Sequence, residues 1–405
     1  MNLADTKIVI LLVVCVILHS CNSTKKLAKE ESLIVKQSFV LNDEIITQDP
    51  VIVLSQTPEN QSLLGIPYKL HLYNLSKSDT EKRFEAWLKK KPQREKRLNK
   101  WLSPKQLEQV KRYRVGFSNW IKKAGEPPSI VDQDKIALTN SLFTQYYNNL
   151  GYFNTTATAT VETLRPQKSS IRYKITTGPR FSLDSITSVI ASQDIDSIYK
   201  VHQKESVVKQ GEAFKVENIN AERERLINVF RNNGIFNFQQ RSIRFKAFKD
   251  SLGIDTKIPL VVEIKNAQKR VQDTLVEVPY RVQKVRSLSV YVENPEQDFS
   301  IYTDSIDYNG IKIFSVGPLK YNPSVLAKGV KITPNQAYSY QDRTATYRYF
   351  NELQNFKYPT ISYAAVENAP SLLDANVYLS PKERFSLGFD FDVSHSNIQD
   401  IGITL

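Results

Sequence analysis

The 405-residue chain has two cysteines, Cys15 and Cys21, and both fall within its first 21 residues. No disulfide can therefore staple the body of the chain, which also lacks a cysteine nucleophile or a cysteine metal cluster. An oxidising compartment is permitted but not used. Histidine is almost as scarce: past Cys21 only His71, His202 and His395 remain, far apart in sequence. There is no G-x-S-x-G elbow, no G-x-G-x-x-G or phosphate loop, and no H-E-x-x-H, so the commonest hydrolase, nucleotide and zinc-peptidase chemistries lack their residues. Asp390 and Asp392 alternate along one strand and read as carboxylates on one sheet face, not as a metal pair. Glu222, Arg223, Glu224 and Arg225 read as a solvated helix face. The expectation is a binding protein with no catalytic residue, cofactor or metal.

Long apolar runs are missing too, with one exception. Ile8–Leu18 is continuously apolar, but its eleven residues are about half of the ~20 that a membrane-crossing helix needs. Lys7 before it and His19-Ser20-Cys21-Asn22 after it make it the apolar core of an export signal. Leu18 three residues before Cys21, with Ser20 adjacent, resembles the lipobox of bacterial lipoproteins, although His19 departs from the small or branched residue usual at its position. Cleavage before Cys21 would leave diacylglycerol on its thiol and a further acyl chain on the new amine. At ~0.8 kcal/mol per buried methylene, several chains make a stable anchor. Ser23–Glu31 reads as a polar tether.

Acidic residues are thin in one stretch. Ser76–Lys123 holds sixteen Lys or Arg against five Asp or Glu, within a chain of formal net charge +13. It also holds all three tryptophans, Trp87, Trp101 and Trp120. Phe84, Trp87 and Leu88 share one helical face; Tyr113, Phe117, Trp120 and Ile121 share another. Ser103-Pro104-Lys105-Gln106 has the residues of a capped helix start. The favoured reading is a helical hairpin insertion whose aromatics pack on the domain that carries it. The sharper one puts Trp87, Trp101 and Trp120 against anionic lipid headgroups. Export makes nucleic acid a remote partner.

What the sequence does have is a repeat. In AERERLINVFRNNGIFNFQQRSIRF (Ala221–Phe245), Ile219, Leu226, Ile227 and Phe230 recur at helical spacing. Asn232-Asn233-Gly234 then ends the helix, and Ile243, Phe245 and Ala247 alternate as a strand, with Ser242, Arg244 and Lys246 toward water. LFTQYYNNLGYFNTTATATVE (Leu142–Glu162) repeats the unit with Gly151 and Phe153. YRYFNELQNFKYPTISYAAV (Tyr347–Val366) repeats it more weakly: Phe350 and Phe356 keep the step of Phe230 and Phe236, but the glycine is gone. Asn335-Gln336-Ala337-Tyr338 echoes Gly211-Glu212-Ala213-Phe214. Periods this long point to serial domains.

Around these units the chain reads as follows. Leu33–Val40 and Ile45–Leu54 are strands, and Leu63–Leu75 is irregular. A helix carries Leu138, Leu142 and Tyr146, followed by a strand at Ile171–Ile175. The middle domain runs as strand Phe181–Ile190, helix Ile195–Val208, the central helix, then strands Ser242–Phe248 and Ile258–Ile264. Lys265–Val276 is a polar linker. Tyr280–Val292, Thr360–Val366 and Ala375–Leu379 are strands of a third domain.

Serial β-α-α-β-β domains with these two turns resemble POTRA domains, the periplasmic repeats of outer-membrane protein assembly factors of the Bam and Tam type. ERERLINVFRNNGIFNF, the insertion and the Cys21 lipobox are similar to the lipoprotein Tam-like variants. The resemblance implies an α+β fold. A signal peptide occupies 1–20 and a tether 21–31. Domain 1 is 32–178 with its insertion at 76–123, domain 2 is 179–268, and domain 3 is 277–382. Phe385, Leu387, Phe389, Phe391 and Val393 alternate with polar residues as in an outer-membrane barrel strand. Residues 383–405 therefore read as the first strand or strands of a truncated outer-membrane barrel, in a fragment or truncated gene product. The implied function is binding of unfolded outer-membrane proteins by strand augmentation, at the outer membrane of a Gram-negative bacterium with the domains in the periplasm. The edge strand implied is Ser242, Ile243, Arg244, Phe245, Lys246, Ala247 and Phe248, where proline at Arg244 or Phe245 should abolish capture. Partners implied are unfolded outer-membrane proteins and outer-membrane lipid, with room for a periplasm-spanning Tam-type partner. Two other readings stay open: a two-partner-secretion-type transporter, and a barrel-less structural envelope lipoprotein.

Overall fold

A computed structural model describes residues 23–76, 79–90, 98, 100, 103–248, 255–292, 302–382, 392–395 and 401–404. It divides into two compact units, 1–181 with 213–215, and 182–212 with 216–405. Cys21, Trp101 and Phe385–Phe391 lie outside the described residues. The fold is α+β, built on open sheets, and no sheet closes into a barrel among the described residues.

The first unit holds strands β1 (Leu33–Leu41), β2 (Glu44–Ile46), β3 (Thr156–Arg165) and β4 (Lys168–Thr176), and helices α1 (Tyr68–Leu75), α2 (Thr80–Lys89), α3 (Pro104–Ala124) and α4 (Gln133–Asn149). Its sheet runs β2-β1-β4-β3. β1 is parallel to β4 and β3 is antiparallel to it. Alternation along β4 buries Ile171, Tyr173 and Ile175 because successive side chains point to opposite faces. Phe39 stacks on Tyr173 at 5.5 Å, and Phe143 meets that ring edge-on at 5.3 Å.

Several expectations are corrected in this unit. Ile45–Leu54 is a strand only over Glu44–Ile46. Pro50–Leu54 is a turn of 3-10 helix in which Asp49 accepts from the Val51 N–H, since proline suits a first helical position but not a ladder. Tyr68–Leu75, read as irregular, is helical. The buried face of α4 is Ile136, Thr139, Phe143 and Tyr147, while Leu138 is exposed. A helix rich in Leu and Tyr on several faces leaves its inward phase to tertiary packing.

The second unit holds two more sheets. β5 (Ser182–Ile190), α5 (Gln193–His202), α6 (Val216–Asn232), β6 (Ile243–Ala247) and β7 (Lys257–Ile264) give the order β5-β7-β6, with β5 parallel and β6 antiparallel to β7. β10 (Lys284–Val292), β11 (Asp304–Tyr308), β12 (Ile311–Ser315), α7 (Pro323–Gly329), α8 (Tyr340–Glu352), β13 (Phe356–Val366) and β14 (Ala369–Pro381) give β11-β12-β10-β14-β13. There too β10 is parallel and β13 antiparallel to β14. One ladder thus occurs three times: first strand, last strand, penultimate strand. The β11–β12 hairpin extends the third copy, and the stretch read as a linker forms most of a hairpin of β8 (Ala267–Val271) and β9 (Thr274–Val278). The strands are short, and β9 is exposed along its whole length, so neither shows the buried-exposed alternation that reveals a strand. β15 (Asp392–His395) pairs antiparallel with β16 (Ile401–Thr404).

Candidate strand-binding edge

In all three sheets the penultimate strand of the copy ends the ladder: among the described residues β3, β6 and β13 each have a neighbour on one side only. An edge strand presents unpaired N–H and C=O groups, a template for an added chain.

β6 pairs with β7 over its whole length, Ile243 to Ile264 through Ala247 to Leu260. Two bonds flank that register. The Lys265 N–H donates to the Ser242 carbonyl, and the Phe248 N–H donates to the Pro259 carbonyl. Hydrogen-bonded positions alternate in an antiparallel ladder, so Ser242, Arg244, Lys246 and Phe248 aim their backbone groups at β7. Ile243, Phe245 and Ala247 aim theirs outward. The side chains keep this edge soluble and local. Lys246 bridges to Glu263 on β7 at 2.9 Å, and that ammonium holds the Glu263 carboxyl below its ordinary range. The Arg223 guanidinium sits 5.3 Å over the Phe245 ring. Ser242, expected to face water, is buried and shares a 2.8 Å hydrogen bond with the Tyr280 hydroxyl.

The other two edges differ. β13 carries Pro359, a register shift between Lys357 and Thr360, and Tyr358 at φ +45°; proline and bulges blunt an edge. β3 is longer than β6 and uncharged from Thr156 to Val161. Its Thr-Ala alternation was the available sequence signal.

Two clusters connect the repeat motifs. Within the first unit the Phe181 N–H donates to the Gly151 carbonyl, and the Phe214 N–H to the Phe181 carbonyl, both at 2.9 Å. Phe153 lies 5.0 Å from Phe214 and 5.3 Å from Phe181. Within the second unit the Gln283 N–H donates to the Gly234 carbonyl at 2.9 Å, and the Tyr338 N–H to the Gln283 carbonyl at 2.8 Å. Phe236 lies 5.0 Å from Tyr338 and 5.1 Å from Tyr363. The Asn-Gly-aromatic close and the Gly-Glu-Ala-Phe type of turn are therefore two halves of one contact. Sequence reading found both motifs but not that they meet. Burial pushes the phenols of Tyr338 and Tyr363 up, so both stay neutral.

The remaining polar features are structural. Glu222 is buried, against the expectation of a solvated face. Its carboxylate accepts two bonds from Arg225, at 2.7 and 2.9 Å, and one from the Val207 N–H at 3.1 Å. Thr139 and Thr346 play the same part on α4 and α8, accepting the Gln56 and Lys331 N–H groups at 3.0 and 2.9 Å. Glu222 and Thr346 each satisfy a donor in the segment leading to their helix, whereas Thr139 satisfies one that precedes the insertion. Burial, then Lys168, pushes the His71 imidazole down, and no described acid or hydroxyl engages its Nδ1. No group of three His, Cys, Asp or Glu among the described residues could hold a metal.

No protein-family model matches the chain, and no curated protein matches it. Among solved structures it is similar to BamA POTRA3-5 of Haemophilus influenzae, at 9% identity and TM-score 0.30, over 63% of this chain and 86% of that one. It is similar to POTRA1-3 of the periplasmic domain of Omp85 from Anabaena, at 10% identity and TM-score 0.24, over 88% and 98%. CdiB from Acinetobacter baumannii follows at 8% identity and TM-score 0.20, over 51% and 31%. At such scores the likeness carries no weight of its own.

Proposed function

We propose that this chain is the POTRA-type periplasmic part of an outer-membrane assembly or translocation factor, lipid-anchored through Cys21 as in Tam-like lipoproteins. It captures unfolded outer-membrane proteins by adding a client strand to an open sheet edge. The observation that carries the reading is the thrice-repeated ladder, each copy leaving the same strand unpartnered on one side among the described residues. Main-chain hydrogen bonding to such an edge tolerates many client sequences, which is what handling unfolded barrel strands requires. The export signal and lipobox motif supply the compartment, and the barrel-like alternation after Phe385 supplies the destination.

β6 gives the sharpest test, with Ser242–Phe248 as its candidate residues. Phe245→Pro removes an outward N–H and leaves the ladder to β7 intact. It should abolish photocross-linking of a urea-unfolded outer-membrane barrel protein to Ala247. Arg244→Pro removes an inward N–H and is the control for a broken sheet. Undiminished cross-linking in a folded Phe245→Pro chain rejects capture at this edge.

A further inference from the structure

The long helix of the insertion turns its largest side chains away from the body that carries it. On α3, Val110, Tyr113, Phe117 and Trp120 recur at steps of three and four, which places them on one face. They are 41, 65, 63 and 61% exposed, and Phe117 and Trp120 stack at 6.1 Å and 20°. α3 packs on α1 and α2, and its sheltered positions among the described side chains are Lys111, Val115, Ser118 and Ile121. The favoured expectation, aromatics packed on the first domain, is thus overturned for this helix. Trp87 on α2 is also partly exposed, beside a buried Phe84.

Charge accompanies the stripe. Lys105 and Lys123 are exposed on the flanks of the stripe and Lys122 on the far side of the helix, Arg112 pairs with the Glu108 carboxylate at 3.3 Å, and Ser103 and Gln106 cap its start reciprocally. Next to Phe117 a cleft of about 730 Å³ is lined by Phe84, Trp87 and Ile121, with Arg83 and Lys90 among its residues. Aromatic rings suit the water–hydrocarbon boundary, and ammonium and guanidinium groups suit lipid phosphates.

The N-terminus supplies an independent observation. The stretch read as a polar tether is docked on α1. Asn74 donates to the Ser23 carbonyl at 3.1 Å. Lys26 donates to the Tyr73 carbonyl at 2.7 Å and to the Ser76 hydroxyl at 2.6 Å. Burial, then Lys122 at the end of α3, pushes the Lys26 ammonium down. Cys21 is two residues before Ser23, no more than ~7 Å of extended chain. A lipid on Cys21 would therefore enter its bilayer beside the insertion.

We propose that α3 lies along the surface of an anionic phospholipid bilayer. Tyr113, Phe117 and Trp120 sit in the headgroup region, and the surrounding Lys and Arg meet lipid phosphates. This rests on the export reading for access to a membrane. Acylation of Cys21 is read separately, from the intact mass.

The test uses the full chain with Trp87→Phe and Trp101→Phe, which leaves Trp120 as the only tryptophan. It is added to phosphatidylcholine vesicles, with or without phosphatidylglycerol, carrying brominated acyl chains. Trp120 emission should shift to shorter wavelength and be quenched on the anionic vesicles only. The response should fade as salt rises from about 0.1 M to about 1 M, which shortens screening from ~10 Å to ~3 Å. Tyr113→Ser with Phe117→Ser should cost roughly tenfold in vesicle affinity, since two large apolar surfaces leave the bilayer. Slower amide exchange over 104–124 in the unsubstituted chain is a second readout, independent of the tryptophan changes. A Cys21→Ser chain should keep the Trp120 response. An unquenched Trp120 on anionic vesicles, equal quenching on neutral ones, or undiminished binding after the double substitution each overturns the proposal. Client cross-linking at β6 is unaffected by any of these outcomes, so the two readings fail separately.

Discussion

Align the three copies on the buried aromatic near the end of their second helix, Tyr147, Phe230 and Phe350. Four residues on stand Gly151, Gly234 and Gln354, all with positive φ: +93°, +97° and +53°. Two residues further come Phe153, Phe236 and Phe356. The first two copies behave alike and the third does not. A Cβ on Gly151 would lie 2.6 Å from the Phe214 carbonyl oxygen, and one on Gly234 would lie 2.6 Å from Val282 Cγ1. Gln354 is exposed, and its φ falls in the ordinary left-handed region that a non-glycine can occupy. Phe153 and Phe236 reach the turn that carries Phe214 or Tyr338, whereas Phe356 folds into its own core against Tyr321 and Phe350. The glycine is thus needed less for ending the helix than for letting another segment press against its backbone. Its loss from the third copy reflects the absence of that close approach among the described residues.

The same logic explains the turns. The Leu183 and Val285 N–H groups bond the Glu212 and Gln336 carbonyls, and the Ile34 N–H bonds the Ser129 carbonyl in the same way. Where Phe214 and Tyr338 meet a preceding aromatic, the first copy has Val131.

Substitutions can break this comparison. The largest effect is expected from Phe356→Ala, which empties a fully packed site in the third core and should cost about 3–5 kcal/mol in chemical denaturation. Gly234→Ala comes next, at about 1–3 kcal/mol for backbone strain alone, with the overlap on Val282 added. Equal stability of this variant would mean that the close approach is not required. Phe236→Ala should cost about 1–2 kcal/mol, because its ring is only half-buried and its loss forfeits mainly aromatic pairing with Tyr338 and Tyr363. Its signature is faster amide exchange around Gln283 and Tyr338 with the β7 core unchanged. Gln354→Gly should move stability by less than about 1 kcal/mol, since relief of the left-handed conformation offsets added freedom in the unfolded chain.

The parts of the fold that were legible from sequence are the local ones. Asn-Asn-Gly before an aromatic, a Ser-Pro-x-Gln cap and an Ile-x-Phe-x-Ala alternation each state their geometry within a few residues, and α3, α6 and β6 followed. What depended on distant partners was hidden. Glu222 looked solvated because the Val207 N–H that it accepts from is on another segment. The inward phase of α4 was set by β4, and Ser242 was buried by Tyr280. β6 was recognisable as a strand, but which of its residues aim backbone groups outward depended on the register with β7. The exposed stripe on α3 was visible as a stripe; that it faces away from the body was not.

The most direct measurement of the central claim is residue-resolved amide exchange on β6 with a peptide of alternating barrel-strand sequence added. Arg244 and Lys246 donate to β7 in the free protein, so their amides should already be slow and stay so. Phe245 and Ala247 point outward, so theirs should exchange fast alone and slow when the peptide pairs. Protection that appears at these alternate positions is the result expected of an added strand. If Phe245 and Ala247 exchange equally fast at saturating peptide, this edge accepts no client strand.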